Sequence, residues 1–151
     1  MADQSPFSTG IIHHYALRVG DVEASKKWLT TMLGFQVRRE FQIGDRDFAF
    51  LSPDGAEAPV IELVGGPVDE RQLPEDIPDM MKLAGWHHLC LQVRNVEQCV
   101  SELRRRGVKI IIEAMDGPPE IGVQKVAFIA DPWGNIYELL QPTAQEKSTV
   151  R

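Results

Sequence analysis

Apolar and polar positions along this chain change period in an order that occurs twice. From Ile11 to Val19 the residues are strand-formers, stopped by Gly20-Asp21. Alternation in a strand puts His14, Ala16 and Arg18 on one face and His13, Tyr15, Leu17 and Val19 on the other, which is the natural core face. From Val22 to Leu33 the spacing of Val22, Ala24, Trp28, Leu29, Met32 and Leu33 is close to 3.6, with Asp21 placed as N-cap and Gly34 as terminator, and predicts a helix. Strands are then expected over 35–41, 47–52 and 59–64, separated by turns at Ile43-Gly44-Asp45 and Pro53-Asp54-Gly55. The order returns as a strand over 87–93, a helix over 96–106 ended by Gly107, and strands over 108–113, 123–130 and 135–141. The expected division is a flexible leader 1–10, a β-α-β-β-β module 11–65, a linker 66–85, a second β-α-β-β-β module 86–141 and a flexible tail 142–151. The Pro- and acid-rich linker carries a short helix near Pro78 to Leu83.

The repetition extends to the residues themselves. His13-His14-Tyr15-Ala16-Leu17-Arg18-Val19 returns 74 positions on as His87-His88-Leu89-Cys90-Leu91-Gln92-Val93, and Ala49-Phe50-Leu51 is answered by Ala127-Phe128-Ile129. Val60-Ile61-Glu62-Leu63 corresponds to Ile136-Tyr137-Glu138-Leu139. Each copy therefore opens with a histidine on a strand and closes with a glutamate on a strand, 48 residues apart in one and 50 in the other. If the helices cover one side of a curved sheet, the other side is a cup lined by His14, Arg18, Glu62, His88, Cys90, Gln92 and Glu138. A lone strand histidine or glutamate is usually an ordinary satisfied or exposed side chain. Two such pairs at matched spacing, within otherwise apolar strands where an unpaired buried carboxylate is costly, point instead to ligands. Two imidazoles and two carboxylates, His14, Glu62, His88 and Glu138, suit one divalent ion per site, Zn, Ni, Co, Mn or Fe, and leave two octahedral positions open for water or substrate. His13 and His87 fall on the opposite face, as packing or supporting histidines. Trp86 and Trp133 lie near cup-facing strand ends, where they could wall a substrate or simply pack.

Composition narrows the function classes. The net charge of -6 and the absence of a dense basic block argue against nucleic-acid binding, and Arg104-Arg105-Arg106 reads as the cationic last turn of a helix. No apolar run reaches the length of a membrane-spanning helix. Two cysteines, Cys90 and Cys99, on different elements make a disulfide scaffold improbable and point to a reducing, cytoplasmic setting.

The paired β-α-β-β-β units resemble the vicinal oxygen chelate superfamily. The likeness is carried by the run from His14 to Asp21, by Ile61-Glu62-Leu63, by the strand opened by His88, and by Ala127-Phe128-Ile129-Ala130-Asp131-Pro132-Trp133-Gly134-Asn135-Ile136-Tyr137-Glu138-Leu139. That superfamily includes glyoxalase I, methylmalonyl-CoA epimerase, extradiol dioxygenases, and fosfomycin and bleomycin resistance proteins. The resemblance implies an α+β fold in which two tandem modules form a curved mixed sheet enclosing a metal-containing cup. It implies that His14, Glu62, His88 and Glu138 hold a metal chelated by vicinal substrate oxygens, and that Glu138 and Glu62 move a proton. Arg18, which matches a glutathione-contacting residue of glyoxalase I, joins Gln92 and Trp133 as expected substrate contacts. A carboxylate at Glu62 favours lyase or isomerase chemistry of the glyoxalase I type, because the dioxygenases use two histidines and the final glutamate for Fe(II). The Fe(II) extradiol dioxygenase, an epimerase-like isomerase and a non-enzymatic drug-binding resistance protein are the alternatives. The run Leu63-Val64-Gly65-Gly66-Pro67 departs from the asparagine that glyoxalase I carries after its metal glutamate, and Gly85-Trp86-His87-His88 is more like the epimerases. A small-molecule substrate and a homodimer are the partners implied.

Overall fold

The computed structural model describes residues 12–55, 60–69, 72–82 and 85–144. The expected leader 1–10 and most of the expected tail lie outside them. The chain divides into two compact units that meet in sequence between Val68 and Asp69. Each unit contains one β-α-β-β-β module, so the fold is α+β with two four-stranded mixed sheets. The two tandem β-α-β-β-β modules expected from the sequence are present, each with its own hydrogen-bonded sheet. Each module's last strand pairs in parallel with its own first strand, which keeps the hydrogen-bonded ladders within a module.

The first unit contains β1 (His14–Arg18), α1 (Val22–Leu33), β2 (Gln36–Ile43), β3 (Arg46–Ser52) and β4 (Val60–Val64), in sheet order β1-β4-β3-β2. Strands β2, β3 and β4 pair antiparallel. Helix α1 begins where the Asp21 carboxylate accepts the Ala24 N–H at 2.9 Å. It ends at Gly34, whose φ of 71° suits a residue without a Cβ and turns its N–H onto the Leu29 carbonyl. The helix packs on β3 and β4, burying Val22 and Leu29 against Ala49, Leu51, Ile61 and Leu63. Ala24, expected in the buried stripe, is exposed, and Ser25 is buried in its place. The serine is tolerated because its hydroxyl donates to the Asp21 carbonyl at 2.8 Å.

The second unit contains a short helix α2 (Ile77–Met80), then β5 (Leu89–Gln92), α3 (Val96–Arg105), β6 (Lys109–Asp116), β7 (Val123–Ala130) and β8 (Ile136–Pro142), in sheet order β5-β8-β7-β6. Asn95 caps α3 by accepting the Gln98 N–H at 2.8 Å, and Val96, Val100 and Leu103 form its buried stripe. Arg104 and Arg105 occupy the last turn as expected, and pair with Glu113 and Glu102. Val96, Val100 and Leu103 lie among the second unit's core residues with Ala127, Ile129, Tyr137 and Leu139, and each large apolar side chain buried this way contributes about 1.5–3 kcal/mol. In both modules the helix-covered face is apolar, and the residues between those core positions project from the other face. Among the described residues no helix is long and apolar enough to cross a membrane.

Candidate metal centre

On the helix-free face of the first sheet, parallel pairing sets Ala16 opposite Glu62. His14 stands two residues before Ala16 on the same face, so its ring leans diagonally across to the glutamate. His14 Nε2 lies 3.3 Å from Glu62 Oε2. The second sheet repeats the register, with Cys90 opposite Glu138 and His88 two residues before Cys90. There His88 Nε2 lies 2.9 Å from Glu138 Oε2. The matched spacing read from the sequence is therefore one diagonal contact built twice. The structure brings together His14 with Glu62 and His88 with Glu138, each pair within its own unit. Among the described residues no group of three or more His, Cys, Asp or Glu side chains is gathered closely enough to hold an ion by itself.

Each pair fits two adjacent ligands of one divalent ion. Metal–nitrogen and metal–oxygen bonds of about 2.0–2.2 Å put neighbouring octahedral donors about 3 Å apart. The observed separations of 3.3 and 2.9 Å match that spacing. One imidazole and one carboxylate in each pair is a donor set for a borderline ion.

The family model described as the Glyoxalase/Bleomycin resistance protein/Dioxygenase superfamily matches residues 11–139. The chain belongs to that superfamily. It is 31% identical over 133 residues to the lactoylglutathione lyase of Escherichia coli O157:H7, covering 85% of this chain and 90% of that one. It is 27% identical over 136 residues to the probable lactoylglutathione lyase of Synechocystis, covering 88% and 96%. Among solved structures, the trypanothione-dependent glyoxalase I of Leishmania major superposes with a TM-score of 0.67 at 27% identity, covering 87% of this chain and 86% of that one.

Within the superfamily's paired frame, the two half-sites of this chain have different surroundings. His88 meets the edge of the Phe128 ring, with centroids 5.4 Å apart. Its hydrogen bond holds the Glu138 carboxyl below the usual carboxylate range against the burial that opposes it, and the Cys90 thiol adds a second hydrogen bond. Burial pushes that thiol up to about 12, and the charge of Glu138 adds to the effect, so Cys90 acts as a neutral donor. In the first module His14 and His13 both lie against Phe50, at 5.8 and 6.0 Å between centroids. Phe50 continues into Phe41 and Phe48, which stack at 5.2 Å, and the Arg39 guanidinium sits over Phe41 at 5.6 Å.

The remaining expected contacts fall in three places. Arg18 projects from the same face as His14, but its guanidinium is fastened to backbone. Nη1 donates to the Val64 and Gly65 carbonyls at 2.9 and 2.6 Å, and Nη2 donates to the Pro67 carbonyl at 3.0 Å. The loop admits it closely because Gly66 lacks a Cβ: one added there would lie 3.4 Å from Nη2, at a φ of 116°. Gln92 is exposed at the end of β5 opposite Leu140. Trp133 is half-buried in the turn between β7 and β8, its N–H held by Asp131 at 3.0 Å. Asp131, which sequence reasoning named only as part of a turn, organises that turn by also accepting from the Asn135 backbone and side chain and from the Tyr137 hydroxyl. The Phe41, Phe48 and Phe50 shelf was likewise not singled out. Its signal was the period-two spacing of Phe48 and Phe50.

Proposed function

We propose that this protein is a divalent-metal-dependent lyase or isomerase of the glyoxalase I type, acting on a small oxygenated metabolite or its thiol conjugate. One observation carries the reading: the His–Glu diagonal occurs twice at ligand spacing, with a carboxylate in both modules. The modules 11–65 and 86–141 are the working units, His14 and Glu62 with His88 and Glu138 supplying the four donors. The relatives named lactoylglutathione lyase and the structural likeness to glyoxalase I support the same class.

When bound, a divalent ion supplies a Lewis acid toward vicinal oxygens of the substrate. The protein supplies the proton chemistry. Glu62 and Glu138 are the carboxylates positioned to take a proton at Oε from one carbon and return it to the next. Hydrogen bonds from His88 and Cys90 favour the ionised form of Glu138, the form that can take a proton. Substrate contacts are assigned to Arg18, Gln92 and Trp133, of which Arg18 acts from a guanidinium already oriented by three carbonyls. A homodimer in a reducing cytoplasm completes the proposal; the free thiols Cys90 and Cys99 are consistent with such a compartment.

Elemental analysis of protein purified without a metal-binding tag, followed by metal-reconstituted assays, tests the reading. About one Ni, Co, Mn or Zn per site with hemithioacetal turnover is the expected result. Iron with oxygen uptake on catechols would move the assignment to a dioxygenase, and failure to bind any divalent ion would leave a binding protein.

A further inference from the structure

Strand β2 presents an arginine to the helix-free face of its sheet by way of a bulge. Its register on β3 sets Val37 opposite Leu51, then Arg39 opposite Phe50 and Phe41 opposite Phe48, so Arg38 is an extra residue. Residues directly opposed on paired strands share a face. Val37 therefore lies on the side of the core residue Leu51, whereas Arg39 and Phe41 lie with Phe50 and Phe48 on the side of Glu62. Unbroken alternation from Val37 would have put all three on the helix-covered side. The two arginines of the bulge have different uses. Arg38 is tied to the end of β3, donating from Nε to the Ser52 hydroxyl at 2.7 Å. Arg39 is exposed, with its guanidinium over the Phe41 ring at 5.6 Å, and among the described residues no carboxylate pairs with it.

Glu62, Phe50 and Arg39 form one rung across β4, β3 and β2. Two strand spacings separate the backbones of Arg39 and Glu62 by about 10 Å. The phenylalanine rings make an apolar floor over that interval. A guanidinium stacked on a ring is already oriented, and its N–H edge remains open to the two oxygens of a carboxylate or phosphate. The second module repeats the bulge: Ile110 opposes Ile129 and Ile112 opposes Phe128, leaving Ile111 extra. The residue so turned there is Ile112, which has no charge. One backbone device thus serves both modules, and only the first uses it to place a cation, in a chain whose net charge is -6.

We propose that Arg39 is a specificity-determining residue that binds an anionic group of the substrate, a carboxylate or phosphate. This rests on the lyase or isomerase reading, and it makes the substrate of that reaction an anion with an apolar body between its charge and its vicinal oxygens. Arg39 acts in binding and takes no part in proton transfer.

The probe is dihydrocaffeate, a catechol with a propionate chain, compared with its neutral methyl ester by calorimetry on the full-length protein, zinc-loaded and metal-free. Wild type should bind the acid at least about 10-fold more tightly than the ester, the worth of one hydrogen bond to a charged group. Arg39→Gln should bring the two affinities together by weakening the acid alone, with unchanged ester binding as the check on folding. Arg39→Lys should recover part of the preference, and Arg105→Ala in α3 should leave it intact. Equal binding of acid and ester by wild type, binding of neither, a preference that survives Arg39→Gln, or an equal loss in Arg105→Ala would overturn the proposal. A preference that needs Arg39 but not zinc would uphold it while the metal-centre reading fails.

Discussion

Opposite the site glutamate, the first module has Ala16 and the second has Cys90. The backbone register around the two positions is the same, and so is the diagonal from histidine to glutamate, yet the second pair is drawn to 2.9 Å and the first stands at 3.3 Å. The second pair is the more supported. Its glutamate takes the Cys90 thiol, and its histidine is backed by His87 and, through it, by Met80. The first pair has the matching Nδ1–Nδ1 contact, between His13 and His14 at 2.8 Å, with Phe50 against both rings. Strand pairing thus sets where histidine and glutamate meet, and the neighbouring side chains add further contacts to each.

The largest expected effect breaks the assumption that the two pairs act on one ion. Glu62→Gln and Glu138→Gln should each weaken metal binding by more than the roughly 10–100-fold that loss of a supporting residue costs, and should lower turnover together with it. Undiminished affinity and turnover in Glu62→Gln, measured by zinc titration and hemithioacetal assay, would remove the four-ligand arrangement.

The two connections before the last strand provide a second contrast. Asp131→Ala strands several donors in the β7–β8 turn and should cost about 2–4 kcal/mol, seen as a drop in urea midpoint. Asp54, exposed at the corresponding turn after β3, should change stability by no more than about 0.5 kcal/mol when made alanine. Similar losses at both positions would mean that the turn is not held by the buried carboxylate.

Arg18 and Gln92 occupy matching places four residues after His14 and His88. Arg18→Ala should cost about 1–2 kcal/mol, because its hydrogen bonds to carbonyls after β4 are partly exposed, whereas Gln92→Ala should stay within about 0.5 kcal/mol. A raised KM in Arg18→Ala at unchanged kcat would add the substrate contact proposed for it. Cys90→Ala makes the second module resemble the first, and should lower zinc affinity by less than about 10-fold, the worth of one hydrogen bond from a weak thiol donor.

The smallest effect is in pH dependence. Burial raises the Asp131 carboxyl above its ordinary value, against hydrogen bonds from Asn135, Trp133 and Tyr137 that lower it. The folded protein therefore holds that proton more tightly than the unfolded chain, and stability from this group falls as pH rises from the unfolded value through the folded one. Compared with Asp131→Asn, the wild-type unfolding free energy should decline across that acidic window; equal slopes would contradict the direction.

Much of the frame was legible in the letters. The helix over 22–33 and the strand over 123–130 coincide with the expected spans, and strand alternation put His14, Ala16 and Arg18 on the exposed side of β1. Legibility ended where a side chain's partner is a backbone atom. Nothing in the sequence placed the Val64, Gly65 and Pro67 carbonyls around Arg18, or the Met80 carbonyl against His87, because those oxygens belong to every residue type alike. The buried Ser25 is a related case: periodicity favoured Ala24, and the Asp21 carbonyl, which takes both the Ser25 N–H and its hydroxyl, made the serine acceptable inside.

By itself the sequence determined the repeat, the order of elements and the face on which each histidine and glutamate stands, because alternation and helical period are local properties of the backbone. The tertiary structure decided that the sheets close module by module, that His14 reaches Glu62 and His88 reaches Glu138, and that the second pair has a thiol on its glutamate and a carbonyl-bonded histidine beside its own. Those outcomes depend on which strands pair and in what register, and pairing joins residues some 50 positions apart whose distance no local pattern contains.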